Sequence, residues 1–140
     1  GLSIALKSHW DNLNIHPVEP EFWDDTKISL KEKKRYKIIY KKSSICDALL
    51  SETPGELTFR INKKLLSFGI SVTDQQVMEA IHIAYKYLKL VLEPGGAVAL
   101  AAALNYSEIV NNKNVLVILS GGNIDKEIFL NSLKTKIPKM

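Results

Sequence analysis

Cysteine is nearly absent: Cys46 is the only one in 140 residues. An intrachain disulfide and a zinc site built from several thiolates are therefore excluded. No apolar run approaches the ~18 residues that a membrane-spanning helix needs. Leu2–Leu6 is too short for a secretory core and has no basic stretch before it. There is no G-x-G-x-x-G and no P-loop, which counts against nucleotide binding. The histidines His9, His16 and His82 are scattered, without the paired spacing of a zinc ligand set. Internal repeats, low-complexity tracts and Gly/Ser linkers are also missing, so the expectation is a soluble, cytoplasmic protein. Gly1 stands where an initiator methionine would, as expected of a processed or truncated product.

The composition itself is ordinary, with 46% hydrophobic and 24% charged residues. A chain of this length makes one domain, or part of a larger one. The net charge of +4 is unevenly placed. Lys31–Lys42 carries seven basic residues against Glu32, a local +6, which leaves 12 basic and 14 acidic residues elsewhere. Clustered cations can serve nucleic acid. Only Arg35 and Arg60, however, offer the bidentate phosphate fork. Tyr36–Tyr40 reads as an exposed strand or loop, so the segment is taken as a solvated surface, with neither nucleic acid nor membrane as partner.

Helical and strand periodicities alternate along the chain. Leu2, Ile4, Ala5, Leu6 and Trp10 predict a helix to about Leu13, and Asn14–Val18 a short strand closed by Glu19-Pro20. Trp23–Lys34 predicts a helix with Asp24 and Asp25 in its first turn, where the helix dipole favours acids. A helix around Leu57–Leu66 and a strand at Ile70–Val72 follow the Pro54-Gly55 turn. Thr73 and Gln76 have capping-box spacing, ahead of a stripe of Val77, Ala80, Ile81, Ala84 and Leu88. Ala97–Leu104 is apolar all round and predicts a buried helix. Val115–Leu119 has the pattern of a central parallel strand, and Asp125–Leu133 that of a last helix. The alternation argues α/β architecture, a mostly parallel sheet with flanking helices.

Three local features offer chemistry. Ser120-Gly121-Gly122-Asn123 lies between the apolar strand and a helix, where α/β sheets bind ligands. The glycines would let backbone approach a ligand and Ser120 offers a neutral hydroxyl, although a tight strand–helix turn also accounts for the run. Glu93-Pro94-Gly95-Gly96 opens the buried helix. Glu93 reads either as a plain N-terminal cap or as a carboxylate held near a cofactor. Glu19 and Asp25, with an intervening carbonyl, have the oxygen chemistry of a hard divalent cation site. Helix-starting acids account for them without one. Cys46 has no histidine in its segment to activate it as a nucleophile.

Taken in order, five stretches resemble the carboxy-terminal half of the pyridoxal-phosphate (PLP)-dependent threonine/serine dehydratases, the fold type II family that includes serine racemase. They are Val18-Glu19-Pro20 with Asp24-Asp25; Ser44-Ile45-Cys46-Asp47-Ala48-Leu49; Thr53-Pro54-Gly55-Glu56-Leu57-Thr58-Phe59; Lys89-Leu90-Val91-Leu92-Glu93-Pro94-Gly95-Gly96-Ala97; and Leu119-Ser120-Gly121-Gly122-Asn123. The resemblance runs from the first residues to about Leu133. It implies part of the large, tryptophan synthase β-like cofactor domain, with residues 1–140 a single partial domain.

The resemblance also implies roles. Ser120 matches the serine that hydrogen-bonds the cofactor's pyridine nitrogen, a partner that cannot protonate it as an aspartate would. Gly121 and Gly122 would pack against the cofactor, Glu93 lie close to it, and Ala48 face its pocket where many relatives have glycine. Glu19, the Trp23 carbonyl and Asp25 match a site for Mg, Mn or Ca. None of the 17 lysines sits in the family's Schiff-base lysine motif. No catalytic residue is therefore expected in this chain, and the chain alone is expected to be inactive. The implied activity of the whole enzyme is deamination of L-threonine or L-serine to a 2-oxo acid and ammonia, with a small amino acid as substrate and a homodimer as assembly. A serine racemase-like enzyme and a non-catalytic binding or scaffold module are the alternatives.

Overall fold

The computed structural model describes residues 1–137. They form two compact units, Gly1–Lys42 with Ser51–Ser71, and Ser43–Leu50 with the residues from Val72 onward.

In the first unit, α1 (Leu2–Lys7) ends before the expected Leu13. The Ser8 hydroxyl donates to the Ala5 carbonyl at 2.8 Å, and Asp11 and Asn12 beyond it favour turns over helix. β1 (Val18–Pro20) and β2 (Ile70–Val72) make a two-stranded sheet. Before the strands proper, the Ser67 N–H donates to the Ile15 carbonyl at 2.8 Å and the Ile70 N–H to the Pro17 carbonyl at 2.9 Å. Both partners advance in the same chain direction, so the two segments run parallel. The strand expected at Asn14–Val18 is thus displaced to Val18–Pro20, and Pro17, with no N–H to give, joins the pairing through its carbonyl alone. α2 (Asp25–Glu32) is narrower than the expected Trp23–Lys34, with Asp24 at its N-cap and Lys33 ending it at a left-handed φ of 57°. α3 (Glu56–Leu65) falls within a residue of expectation. The Ser3 hydroxyl donates to Asn62 Oδ1 at 3.0 Å and ties α1 to it.

The basic segment is stitched down and contains no strand. Ile38 is buried, and its N–H donates to the Glu52 carbonyl at 2.8 Å. The Glu52 carboxylate pairs with Lys37 and Lys41. The Trp23 indole N–H donates to the Lys42 carbonyl at 2.7 Å, and Lys42 Nζ stands 4.1 Å from the centre of the Phe22 ring.

In the second unit, Thr73 and Gln76 form the expected reciprocal capping box at the start of α4 (Asp74–Ile83). A π turn, Ala84–Leu88, extends it and stops at Lys89, φ 59°. α5 (Pro94–Asn105), the short α6 (Ser107–Val110) and α7 (Lys126–Lys134) follow. α4 packs on α5 and α7. Its stripe of Val77, Ala80, Ile81 and Ala84 is buried, as are Ala97, Ala101 and Ala102 of α5. Leu88 leaves the stripe, because the wider π turn rotates it toward solvent. Val115–Leu119 is the larger correction: it forms no strand, and Leu116 is 76% exposed. A continuous apolar strand is buried only between neighbouring strands and under helices on both faces. The described residues supply it with no ladder partner. Among them, no helix is long and apolar enough to cross a membrane.

Thr73→Ala removes one half of the capping box and is expected to cost about 1 kcal/mol. The check is a lower urea midpoint at unchanged slope.

Candidate functional site

In the second unit, the chain is organised around the first turn of α5. Glu93 is extended, with φ −75° and ψ 159°, and Pro94 occupies the first helical position, where its missing N–H costs nothing. Gly96 is buried at this turn. A Cβ on Gly96 would overlap the Ser120 carbonyl oxygen and lie 2.7 Å from its carbonyl carbon, so the backbones of the two segments touch directly. Gly121 adopts φ +82°, a left-handed conformation that glycine enters without steric cost. The space its Cβ would take is filled by the Glu93 carboxylate, whose Cδ is 2.5 Å from that position.

The opposite flank is the 3₁₀ turn Asp47–Leu49. A Cβ on Gly95 would stand 3.6 Å from Ala48 Cβ and 3.5 Å from Leu49 Cγ. This turn is anchored from α4: the Ser44 hydroxyl donates to Asp74 Oδ1 at 2.6 Å, and the Ile45 N–H to Oδ2 at 3.0 Å. Ala48, Glu93, Ser120, Gly121 and Gly122 are thus gathered about one helix N-terminus. Ser120 is exposed, and its hydroxyl has no protein hydrogen-bond partner among the described residues. The arrangement presents a neutral donor/acceptor hydroxyl beside closely packed backbone. Nothing local in the sequence pairs Ser44 with Asp74, which together hold the flank, because 30 residues separate them. Cys46, next to this turn, is buried, and burial pushes its thiol up to about 12, so it stays protonated and unreactive.

The first unit brings Glu19 and Asp25 together. Glu19 accepts the Thr26 and Lys27 N–H groups at 2.9 and 2.8 Å, one on each oxygen, and so caps α2 from β1. Burial pushes the pKa of Glu19 up against the pull of these amides. Asp25 is 3% exposed, and desolvation, together with the Glu19 charge, pushes its pKa up to about 7. The pair therefore shares a proton near neutrality. The turn leading to them places Phe22 at a left-handed φ of 69°, unusual for a bulky residue, held by an edge-on contact with Tyr40. The Trp23 side chain serves the Lys42 carbonyl, so only its own carbonyl is available to the expected cation set. Among the described residues, no three His, Cys, Asp or Glu side chains gather as a metal centre. A cation here would rest on two carboxylates, a carbonyl and water.

The model of the pyridoxal-phosphate dependent enzyme family matches residues 1–121. The chain is 33% identical over 125 residues to the L-threonine ammonia-lyase of Thermotoga maritima, covering 89% of this chain and 31% of that protein. It is 29% identical to the serine racemase of Schizosaccharomyces pombe, over 95% of this chain and 41% of that one. Among solved structures it is similar to a T.th. threonine deaminase, with a TM-score of 0.82 and 30% identity, covering 89% of this chain and 45% of that one. The α/β class of PLP fold type II, with helices flanking a parallel sheet, is thereby shown. The chain spans less than half the length of these relatives.

The shared proton has a consequence for stability. Asp25 ionises near pH 3.8 when unfolded but near 7 when folded, so folding is progressively disfavoured as pH rises from about 4 to 7. Asp25→Asn is expected to be more stable than the parent at pH 8, with the difference vanishing near pH 4. Urea midpoints at the two pH values decide it.

Proposed function

The chain belongs to the pyridoxal-phosphate dependent enzymes, and from that membership we propose that it is the carboxy-terminal portion of a catalytic domain that deaminates L-threonine or L-serine to a 2-oxo acid and ammonia. The observation that carries the reading is the unpartnered Ser120 hydroxyl on a turn held against α5 by Gly96 and Glu93. When bound, the cofactor supplies an electron sink that weakens bonds to the substrate α-carbon. Ser120 would accept or donate one hydrogen bond at the pyridine nitrogen without keeping a proton there, as a carboxylate would. A less electron-poor ring suits rapid expulsion of a β-hydroxyl over a long-lived carbanion. Gly121 and Gly122 would serve the ring by letting the turn pack closely, since the Glu93 carboxylate and the Val91 carbonyl take the places of their missing side chains, and the Ala48 methyl would narrow the pocket where glycine would widen it. No lysine here matches the family motif for cofactor attachment, so the 140 residues alone are proposed to be inactive. The reading carries with it a cytoplasmic homodimer.

The similarity to serine racemase keeps racemisation as the second reading. A gene product containing these residues, assayed with PLP, should form 2-oxobutyrate from threonine or pyruvate from serine. D-serine without oxo acid would replace the first reading with the second, and neither product would leave a binding or scaffold role. Loss of the neutral Ser120 hydrogen bond in Ser120→Ala should lower turnover by roughly 2- to 10-fold, from about 0.5–1.5 kcal/mol. The carboxylate pair is proposed to hold Mg, Mn or Ca in place of its shared proton. A cation-dependent rise in melting temperature, lost in Asp25→Asn, tests this.

A further inference from the structure

Glu93 has a second task besides starting α5, and its side chain declares it. Glutamate is not among the residues that favour the N-cap position, and the Glu93 carboxylate makes no bond to the N–H groups of α5. It turns instead toward the segment after Leu119. Asn123 donates its N–H to Glu93 Oε2 at 3.2 Å, and Glu93 donates its own N–H to the Gly121 carbonyl at 3.2 Å. Between these two bonds the carboxylate lies over Gly121 where a side chain would be, with Cδ 2.5 Å and Oε2 2.9 Å from the Cβ position. One residue therefore holds the turn at both ends, Gly121 through its backbone and Asn123 through its side chain.

The turn needs such a grip. On its N-terminal side, Val115–Leu119 has no strand ladder among the described residues. On its C-terminal side, Asp125 is committed to α7, accepting the Glu127 and Ile128 N–H groups at 2.8 and 3.2 Å. Gly96 lies against the Ser120 and Gly121 carbonyls and Gly122 against that of Val91, while among the described residues the hydrogen bonds that join Gly121 and Asn123 to the α5 start are those to Glu93. We infer that Glu93 is a positioning residue, which clasps the Gly121–Asn123 turn and so fixes where the Ser120 hydroxyl stands. The geometry of the clasp is independent of any ligand. Its consequence for Ser120 rests on the proposed cofactor role.

The clasp uses the carboxylate as a hydrogen-bond acceptor, a task that a glutamine amide oxygen can also perform. Solvent-exchange NMR on the ¹⁵N-labelled chain of residues 1–140 separates the possibilities. Glu93→Ala should speed exchange of the Asn123 amide about tenfold and shift the Gly121 and Ser120 resonances, while Glu93→Gln restores both. The Gln76 amide, held in the α4 capping box, monitors whether the unit stays folded in each variant. Unchanged Asn123 exchange in Glu93→Ala overturns the inference. Glu93→Gln behaving as badly as Glu93→Ala also overturns it, because charge rather than the clasp would then be what matters. A PLP titration of the gene product that contains this chain, followed by absorbance, is read separately. Absence of binding there would remove the cofactor reading and leave the clasp to be judged on exchange alone.

Discussion

A contact that admits no side chain governs the second unit: the buried Gly96 lies against the Ser120 backbone. Everything around it serves that approach. Pro94 starts α5 without wasting an N–H, and the alanines Ala97, Ala101 and Ala102 let α5 sit close on α4. Any larger residue at Gly96 would push the Ser120–Asn123 turn outward and break the reach of Glu93. The candidate site is thus made of backbone proximity, with the Ser120 hydroxyl exposed beside it.

The first unit solves a different problem. Glu19 satisfies two N–H groups at the start of α2, and the cost is that Asp25 is buried beside a second carboxylate. Two like charges in a dry setting cannot both ionise, so a proton is retained, or a cation would have to take its place. The strained Phe22 and the Trp23 bond to the basic segment hold this corner closed. In doing so they convert a run of lysines into a stitched edge.

Legibility followed the range of the interaction. The Thr73–Gln76 box and α3 could be read because their signals lie within a few residues. α1 and α2 were read too long, since periodicity does not see the turn at Ser8 or the left-handed Lys33. The motif at Ser120 was visible, but its anchor was not. Glu93 stands 30 residues from Asn123 along the chain, and its place before Pro94 fits a helix cap or a carboxylate near a cofactor equally well. Ser44 and Asp74 carried no local mark of being partners. Val115–Leu119 was read as buried because apolar runs usually are, yet burial belongs to the neighbours of a strand and not to the strand itself.

By itself the sequence determined which segments want to be helical, which residue types gather near Ser120, and, through the order of its motifs, the family. Those depend on local propensity and composition. Tertiary structure alone decided that the Glu93 carboxylate meets the glycine turn, that burial beside Glu19 raises the pKa of Asp25, and that the basic segment is tied down. Each of these arises from groups distant in sequence brought within hydrogen-bond or Coulomb range, where desolvation and geometry set what they do.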